Sequence, residues 1–190
     1  MSRFDSYGGI KSIFHINYRK KFLKTLRITE WLHNGRKNHP WMWVPYLLYS
    51  RRLDKLSYKC GFDIPLNVLG YGVNIPHHGS IVINSKAKIG NYCAIMNNVC
   101  IADSNPKTIE DGVLIGSSVV ITKNVTISKG VQIAALSLIN KDIPNPFCIV
   151  GGIPQKILKE VCYYWYLGDD ETSRRHNECE RLRKKYRITH

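Results

Sequence analysis

The chain has 190 residues, enough for one domain with additional segments. Its hydrophobic content of 44% allows a sizeable core, but the longest apolar run, at 41–49, has nine residues where a membrane helix needs roughly 20. The first nine residues contain no apolar signal segment, and the six cysteines lack metal-ligand spacing. We therefore expect a cytoplasmic protein without a metal site.

The positive charge is concentrated at the N-terminal end. The net charge is +14, and residues 1–60 hold 13 lysines and arginines against 3 acidic residues, whereas residues 61–154 hold 6 against 5. A basic surface attracts nucleic acid, anionic lipid or phosphorylated molecules, and a merely solvated basic face is an equal alternative. Because no nucleic-acid-binding motif accompanies the charge, we expect no specific nucleic-acid partner.

Residues 1–62 form the first predicted unit, a basic and mostly helical region. The apolar spacing favours helices over about 20–34 and 45–59, with Gly35 and Pro40 near the break between them. Packing against the rest of the chain is the favoured role for the aromatic residues here. Combined with the positive charge, they also suit peripheral contact with an anionic membrane surface. These aromatic residues are Trp31, Trp41, Trp43, Tyr46 and Tyr49.

Residues 63–154 contain a six-residue repeat. Isoleucines recur in two ladders, which are Ile83, Ile89, Ile95 and Ile101, and then Ile109, Ile115, Ile121, Ile127, Ile133 and Ile139. Upstream, the period continues with Leu69, Ile75 and Ile81, and a spacing of eight then separates Ile81 from Ile89. Small or β-branched residues stand four places after the isoleucines, at Cys93, Val99, Val113, Val119, Val125, Val131 and Ser137.

A period of six fits neither an α-helix nor an uninterrupted strand. It predicts a solenoid in which each unit is one short strand and one corner, with branched side chains stacked inside at a strand spacing of about 4.8 Å. The predicted fold class is therefore mainly β, a parallel β-helix of hexapeptide repeats with N-terminal and C-terminal α-helical segments.

Residues 155–190 form the third predicted unit, a helical C-terminal extension. Gly151, Gly152 and Pro154 are expected to end the solenoid. Helices are predicted over about 157–168 and 171–187, and a helical segment at one end would cover an open β edge.

Three segments carry a resemblance to a known family: NIPHHGSIVINSKAKIGNYCAI, TIEDGVLIGSSVVITKNVTI and IVGGIPQKILKE. Over about half of its length, residues 63–159, the chain resembles the hexapeptide-repeat acyltransferases. Within that family it looks like the serine acetyltransferases and their small bacterial relatives in surface-polysaccharide gene clusters. The resemblance implies a left-handed β-helix, a homotrimer, and acetyl-CoA as co-substrate in a groove between neighbouring solenoids.

The same resemblance assigns the role of general base to His77. An imidazole with a pKa near 6.5 can remove the proton of an acceptor hydroxyl while its oxygen attacks the thioester. The repeat phase places His77 outward, because the inward positions of its coil are predicted at Ile75 and Gly79. The adjacent His78 is the alternative base or a pocket residue. Asp63 resembles the family's orienting carboxylate, and a simple turn residue is the alternative interpretation.

Other residues complete the predicted site. On the next coil, Asn97 and Asn98 are candidate oxyanion donors, and Asp103 is a candidate acceptor contact. Cys93 is predicted to point inward and Cys100 outward, where an acyl-cysteine route is a minor alternative. The expected acetyl-CoA contacts are small corner residues and two lysines, namely Gly116, Ser117, Ala134, Ala135, Gly151, Gly152, Lys156 and Lys159.

The acceptor is predicted from what the sequence lacks. Serine acetyltransferases have an Asp directly before the base and an Arg-His pair on the following coils, whereas this chain has Pro76 and a short break at 102–108 without Arg or His. Recognition of a free amino acid requires paired charges. We therefore predict O-acetylation of a sugar or polysaccharide precursor. L-serine is the alternative acceptor, and a non-catalytic solenoid scaffold is a second alternative.

Overall fold

The computed structural model describes residues 17–102, 104–168 and 170–186. The helices are α1 (Tyr18–Gly35), α2 (Trp43–Cys60) and α3 (Asp170–Tyr186), with short 3-10 helices at Pro40–Met42 and Trp165–Gly168. The strands are β1 (Phe62–Asp63), β2 (Ile81–Ile83), β3 (Ala87–Ile89), β4 (Ala94–Ile95), β5 (Val99–Ile101), β6 (Lys107–Ile109), β7 (Leu114–Ile115), β8 (Val120–Ile121), β9 (Val125–Ile127), β10 (Gln132–Ile133), β11 (Leu138–Ile139), β12 (Cys148–Gly151) and β13 (Lys156–Glu160). Across the described ranges, every helix is too short or too polar to cross a bilayer.

Helices α1 and α2 form an antiparallel hairpin that covers the first coil of the solenoid, and both confirm the helices predicted from the sequence. Helix α1 begins at Asn17, whose side chain accepts a hydrogen bond from the backbone N–H of Lys20 at 3.1 Å. Helix α2 ends at Gly61, which has the left-handed φ of 76° that glycine adopts readily. The ring of Phe22 then packs edge-on against Phe62, with ring centroids 5.1 Å apart.

The central part is a left-handed parallel β-helix with three sheets. The strand orders are β1-β2-β5-β8-β11 in the first sheet, β3-β6-β9 in the second and β4-β7-β10-β12-β13 in the third. All pairings are parallel except that of β12 with β13. The isoleucines from Ile83 to Ile139 in both ladders are at most 4% exposed, so the predicted inward stack is confirmed and forms one continuous core.

The register of the second coil differs from the prediction. Ile81 pairs with Val99 and Ile83 with Ile101, so Ile81 takes the small inward position that was predicted for Gly79. The corner at 76–80 therefore has two residues more than the corner at 96–98. The extra residues lie between Ile75 and Ile81, and the predicted break between Ile81 and Ile89 is wrong.

The C-terminal part also departs from the prediction. The helix predicted over 157–168 is wrong, because Lys156–Glu160 forms β13, which pairs antiparallel with β12. This pairing satisfies backbone groups that the last parallel strand would otherwise leave open. A 3-10 helix and α3 follow, the latter close to the predicted 171–187. The division of the chain into units at 62 and 154 stays a prediction.

Aromatic rings fill the corners between the second and third sheets. At three of these corners a glycine with positive φ lies under a ring contributed by a later residue: Tyr92 covers Gly72, Tyr164 covers Gly112, and Phe147 covers Gly130. Helix α3 docks against this row, since the Tyr92 hydroxyl donates a hydrogen bond to Glu180.

Candidate active site

The predicted site residues meet along one corner of the β-helix. The chain passes from the third sheet to the first at residues 76–80, 96–98, 116–118 and 134–136. Residues 151–152, where β12 turns back into β13, stack on the last of these corners. We call these stacked segments the site edge. Backbone hydrogen bonds link successive corners, including Met96 N–H to the Ile115 carbonyl at 3.0 Å and Ala134 N–H to the Val150 carbonyl at 2.8 Å. Asn97, Ser117 and Ala135 occupy equivalent places on three successive corners. His77 lies in the longer corner that precedes them, where Gly79 is the residue next to Asn97.

His77 lies exposed in the longer corner of the site edge. The backbone N–H of Gly79 donates to the Cys60 carbonyl at 3.2 Å, which attaches this corner to the end of α2. Arg19 on α1 donates to the Ile75 carbonyl at 3.4 Å, two residues before the imidazole. His78 is exposed as well. The outward orientation predicted for His77 is therefore present, with an accessible ring.

Asp63 lies on the first strand beside Val82, and its side chain is exposed. Among the described residues, neither the Asp63 carboxylate nor the His77 ring forms a hydrogen bond or ion pair, so their predicted pairing is not made in the free chain. Asp63 instead borders a cleft of about 850 Å³ between α2 and the first sheet, together with Asp54, Tyr58 and Ser80. No sequence pattern indicates this cleft, because the cleft depends on how α2 packs.

The two asparagines on the next corner differ in their surroundings. The Oδ1 atom of Asn97 accepts a hydrogen bond from the Ser117 hydroxyl at 2.8 Å, which fixes the amide and leaves its N–H₂ as a donor on the site edge. Asn98 has a left-handed φ of 58°, and Ser118 and Leu136 at the equivalent places have φ values of 58° and 59°. A corner role therefore accounts for Asn98, and Asn97 is the better candidate for an oxyanion donor.

The predicted acetyl-CoA contacts divide into buried and accessible residues. A Cβ on Gly116 would lie 2.6 Å from the Ile133 carbonyl oxygen, and one on Gly151 would lie 2.9 Å from the Ala134 Cβ. Stacking of neighbouring coils therefore requires both glycines. Ala135 and Gly152 are exposed, and Ser117 and Ala134 are half-buried, so these four are open to a ligand at the site edge.

Two exposed cations stand beside the last coil. Lys156 pairs with Gly151, and Lys159 with Ile149, on the antiparallel strand β13. This strand brings both lysines beside β12, and it places Lys156 next to Gly151 at the end of the site edge opposite His77. Asp103, the predicted acceptor contact, lies outside the described residues.

An apolar column faces outward on the first sheet, next to the site edge. Val82 pairs with Cys100, Cys100 with Val120, and Val120 with Leu138. Val82 is 38% exposed, and Leu136 on the neighbouring corner is 72% exposed. A surface of this kind is typical of contact with another protein chain.

The thiols and possible metal ligands add little chemistry to the site. Cys93 points inward as predicted, and burial raises its pKa to about 12, so it is a packing residue. Cys100 is half-buried in the outward column. Within the described ranges, no three side chains of His, Cys, Asp or Glu come together in an arrangement that could hold a metal ion.

Comparison with known proteins connects this arrangement to a family. No family model matches the chain. Serine acetyltransferase 2 of Arabidopsis thaliana is 34% identical over 146 residues, which are 72% of this chain and 42% of that protein. The crystal structure of Neisseria gonorrhoeae serine acetyltransferase in complex with serine superposes with a TM-score of 0.57 at 28% identity, covering 72% of this chain and 55% of that one. The chain belongs to the serine acetyltransferase-like group of hexapeptide-repeat acyltransferases.

A further serine acetyltransferase structure, a complex with CoA, has a TM-score of 0.62 at 22% identity and covers 75% of this chain and 58% of that chain. At that identity it shows a shared fold. This serine acetyltransferase-like chain spans about half the length of the curated relatives it matches.

The relatives overturn the predicted acceptor. A sugar or polysaccharide precursor was predicted because the chain lacks particular charged residues of serine acetyltransferases, yet its relatives are serine acetyltransferases. The sugar prediction is therefore wrong. The reasoning failed because it required charged residues at fixed sequence positions, and the absence of charges there does not exclude charged residues elsewhere in the fold.

Proposed function

We propose that this chain transfers the acetyl group of acetyl-CoA to the hydroxyl of L-serine, with His77 as the general base. The observation that carries the proposal is the accessible imidazole of His77 on the site edge, in a chain whose relatives are serine acetyltransferases. Asp63 would act as a positioning residue that comes to hold the ring when substrates bind.

The reaction needs one proton acceptor and one oxyanion donor. As the serine oxygen attacks the thioester carbonyl, His77 takes the hydroxyl proton, and the carbonyl oxygen becomes negatively charged. The Asn97 amide is the candidate donor to that oxygen. When the tetrahedral intermediate collapses, the carbon–sulfur bond breaks and the proton held by His77 passes to the CoA sulfur. The products are O-acetylserine and CoA, and the enzyme returns to its starting state.

The charges near the site suit the two substrates. The cleft is lined by the carboxylates of Asp54 and Asp63, which favour an acceptor that carries an ammonium group. At the other end of the site edge, Lys156 and Lys159 favour the phosphates of acetyl-CoA. Ser117, Ala135 and Gly152 lie between these ends.

We also propose a homotrimer. The apolar column from Val82 to Leu138, together with Leu136, lies beside the site edge, so a neighbouring subunit that covered the column would also enclose the bound acetyl-CoA. Light scattering on the purified chain should then give three times the mass of one chain. Replacing Leu138 with Lys should lower that mass, because it buries a charge at the interface.

The test of the activity follows the loss of thioester absorbance in acetyl-CoA, since the exposed thiol of Cys162 would react with a thiol reagent. L-serine is compared with L-alanine, which lacks the hydroxyl. We expect acetyl-CoA to be consumed in the presence of L-serine and not in the presence of L-alanine. A chain that consumes no acetyl-CoA in the presence of L-serine would refute the proposed function.

The assignment of the base is tested by a matched pair of variants. His77→Ala should lower kcat by about 10²- to 10⁴-fold, the usual contribution of a general base, while His78→Ala should stay within a few fold of the unmodified chain. The reverse result would transfer the role of the base to His78. Equal, small effects of both substitutions would show that neither ring removes the proton.

A further inference from the structure

The turn of the N-terminal helical hairpin exposes an apolar surface. The side chains that form it lie within one turn of the end of α1, in the connection, or in the first two turns of α2, and each is between 48% and 68% exposed. We call this set the tip surface: Trp31, Trp41, Trp43, Val44, Leu47 and Leu48. Burial between the helices and the solenoid, the role favoured from the sequence, is not observed for Trp31, Trp41 or Trp43, which are 59%, 64% and 48% exposed.

Cations border the tip surface. Along the outer face of α2 the apolar residues are followed by exposed Arg51, Arg52, Lys55 and Lys59, and the helix holds a single acidic residue, Asp54. At the tip itself, the guanidinium carbon of Arg36 lies 4.7 Å from the centroid of the Trp43 ring. The exposed face of one helix thus changes from apolar to positively charged along its length.

The charge decides among possible occupants. A second copy of this chain would present a surface of the same positive charge, which would not neutralise the row of arginine and lysine. An anionic bilayer complements both parts, because tryptophan and leucine enter the interfacial layer while arginine and lysine contact the lipid headgroups. We propose that the tip surface docks this protein peripherally on anionic membranes.

The geometry keeps such docking separate from the site edge. The tip surface lies at the start of α2, whereas Gly61 and the corner that carries His77 follow the end of this 18-residue helix, about 27 Å away along its axis. The site edge therefore stays accessible to water while the tip contacts lipid. The inference is independent of the proposed acetyl transfer.

Vesicle binding tests the proposal through the protein's own fluorescence. Three of the four tryptophans belong to the tip surface, so the variant Trp165→Phe leaves fluorescence that reports on the tip alone. Vesicles of phosphatidylcholine are compared with vesicles that also contain phosphatidylglycerol. We expect a blue shift and quenching by brominated lipid with the anionic vesicles, both reversed by salt. Equal binding to the two kinds of vesicle, or no binding to either, would overturn the proposal.

Matched variants locate the contact. Arg51→Gln with Arg52→Gln should weaken partition about 30-fold, since each cation near a membrane surface contributes roughly 1 kcal/mol. Lys184→Gln with Lys185→Gln on α3 is the control and should leave partition unchanged. If the variant that lacks both arginines bound anionic vesicles as strongly as the unmodified chain, the proposal would be contradicted.

The apolar part is tested in the same way. Leu47→Gln with Leu48→Gln should weaken partition at least tenfold, whereas Leu167→Gln, at a leucine of similar exposure, should not. Light scattering accompanies both measurements. A fall in oligomer mass caused by the Leu47 and Leu48 substitutions would show that the tip surface is a contact between copies and would also overturn the proposal.

Discussion

A single added methyl group at Gly130 tests how the aromatic rings close the corners of the β-helix. Gly130 has a φ of 68°, and a Cβ placed on it would lie 2.5 Å from Cδ1 of Phe147. Gly130→Ala therefore adds two costs, a left-handed alanine and a contact with the ring. Asn98 and Ser118 already hold the same backbone conformation at other corners, so the backbone cost is tolerable and the ring contact should decide the outcome.

The magnitudes follow from these two costs. A non-glycine residue in the left-handed region costs roughly 1–2 kcal/mol, and overpacking typically costs a further 1–3 kcal/mol. Gly130→Ala should therefore lower the free energy of unfolding by about 2–5 kcal/mol, as measured by urea denaturation followed by circular dichroism.

A double-mutant cycle separates the two costs. Phe147→Ala removes the ring, so in that background Gly130→Ala should retain only the backbone cost of roughly 1–2 kcal/mol. The coupling energy between the two positions should then be about 1–3 kcal/mol. If Gly130→Ala costs the same with and without the ring, the steric explanation is refuted.

Three further measurements address other parts of the molecule. Hydrogen bonding from Tyr92 lowers the pKa of Glu180, so this contact stabilises docking of α3 above the ordinary glutamate pKa of about 4.3 and is lost as pH falls through the lower folded value. The protection of α3 amides, measured against the intrinsic exchange rate at each pH, should fall in that range, and Glu180→Gln should abolish the dependence. Iodoacetamide should label exposed Cys162 but leave Cys93 unlabelled at neutral pH, since burial raises the pKa of Cys93 to about 12; mass spectrometry reads both. If the Asn97 amide stabilises the oxyanion, Asn97→Ala should lower kcat at least tenfold with little change in KM for L-serine. Steady-state kinetics measures both constants, and a change in KM alone would contradict this role.

The repeat made the core predictable, but its register depended on neighbouring coils. Ile81 and Ile83 are both buried on either side of exposed Val82, so alternation along the strand fits either isoleucine as the ladder position. Pairing with Val99 and Ile101 decides between them. The register of this strand is therefore set by residues of another coil, and the local sequence does not specify it.

The C-terminal misprediction has a similar cause. Residues 156–160 are too few for the order of their apolar and polar residues to distinguish a strand from a helix. The unpaired edge of β12 decides in favour of a strand, because it offers hydrogen-bonding partners to whichever segment follows. Pairing with β12 therefore determines the conformation of residues 156–160, and the local sequence does not.

The candidate site was predictable where it depended on the repeat phase and unpredictable where it depended on helix packing. Asn97 and Ser117 share one phase, and their side chains meet on one edge. The longer corner at 76–80 instead brings Gly79 next to Asn97, with His77 two residues earlier. The cleft beside Asp63 and the contact of Arg19 with the Ile75 carbonyl arise from the way the N-terminal hairpin lies on the first coil. A six-residue period contains no information about that docking.

Because the corners are stacked uniformly, the distance between two points along the β-helix is set by the number of coils between them. Leu114 and Gln132 are paired and lie one coil apart, so excision of residues 114–131 would rejoin equivalent points of the ladder. Such a shortened chain would keep the imidazole of His77 and the ammonium of Lys156 intact while moving them about 4.8 Å closer together. If His77 and Lys156 hold the two ends of acetyl-CoA as proposed, the distance between these ends depends on the number of coils and changes by about one strand spacing for each coil removed or added.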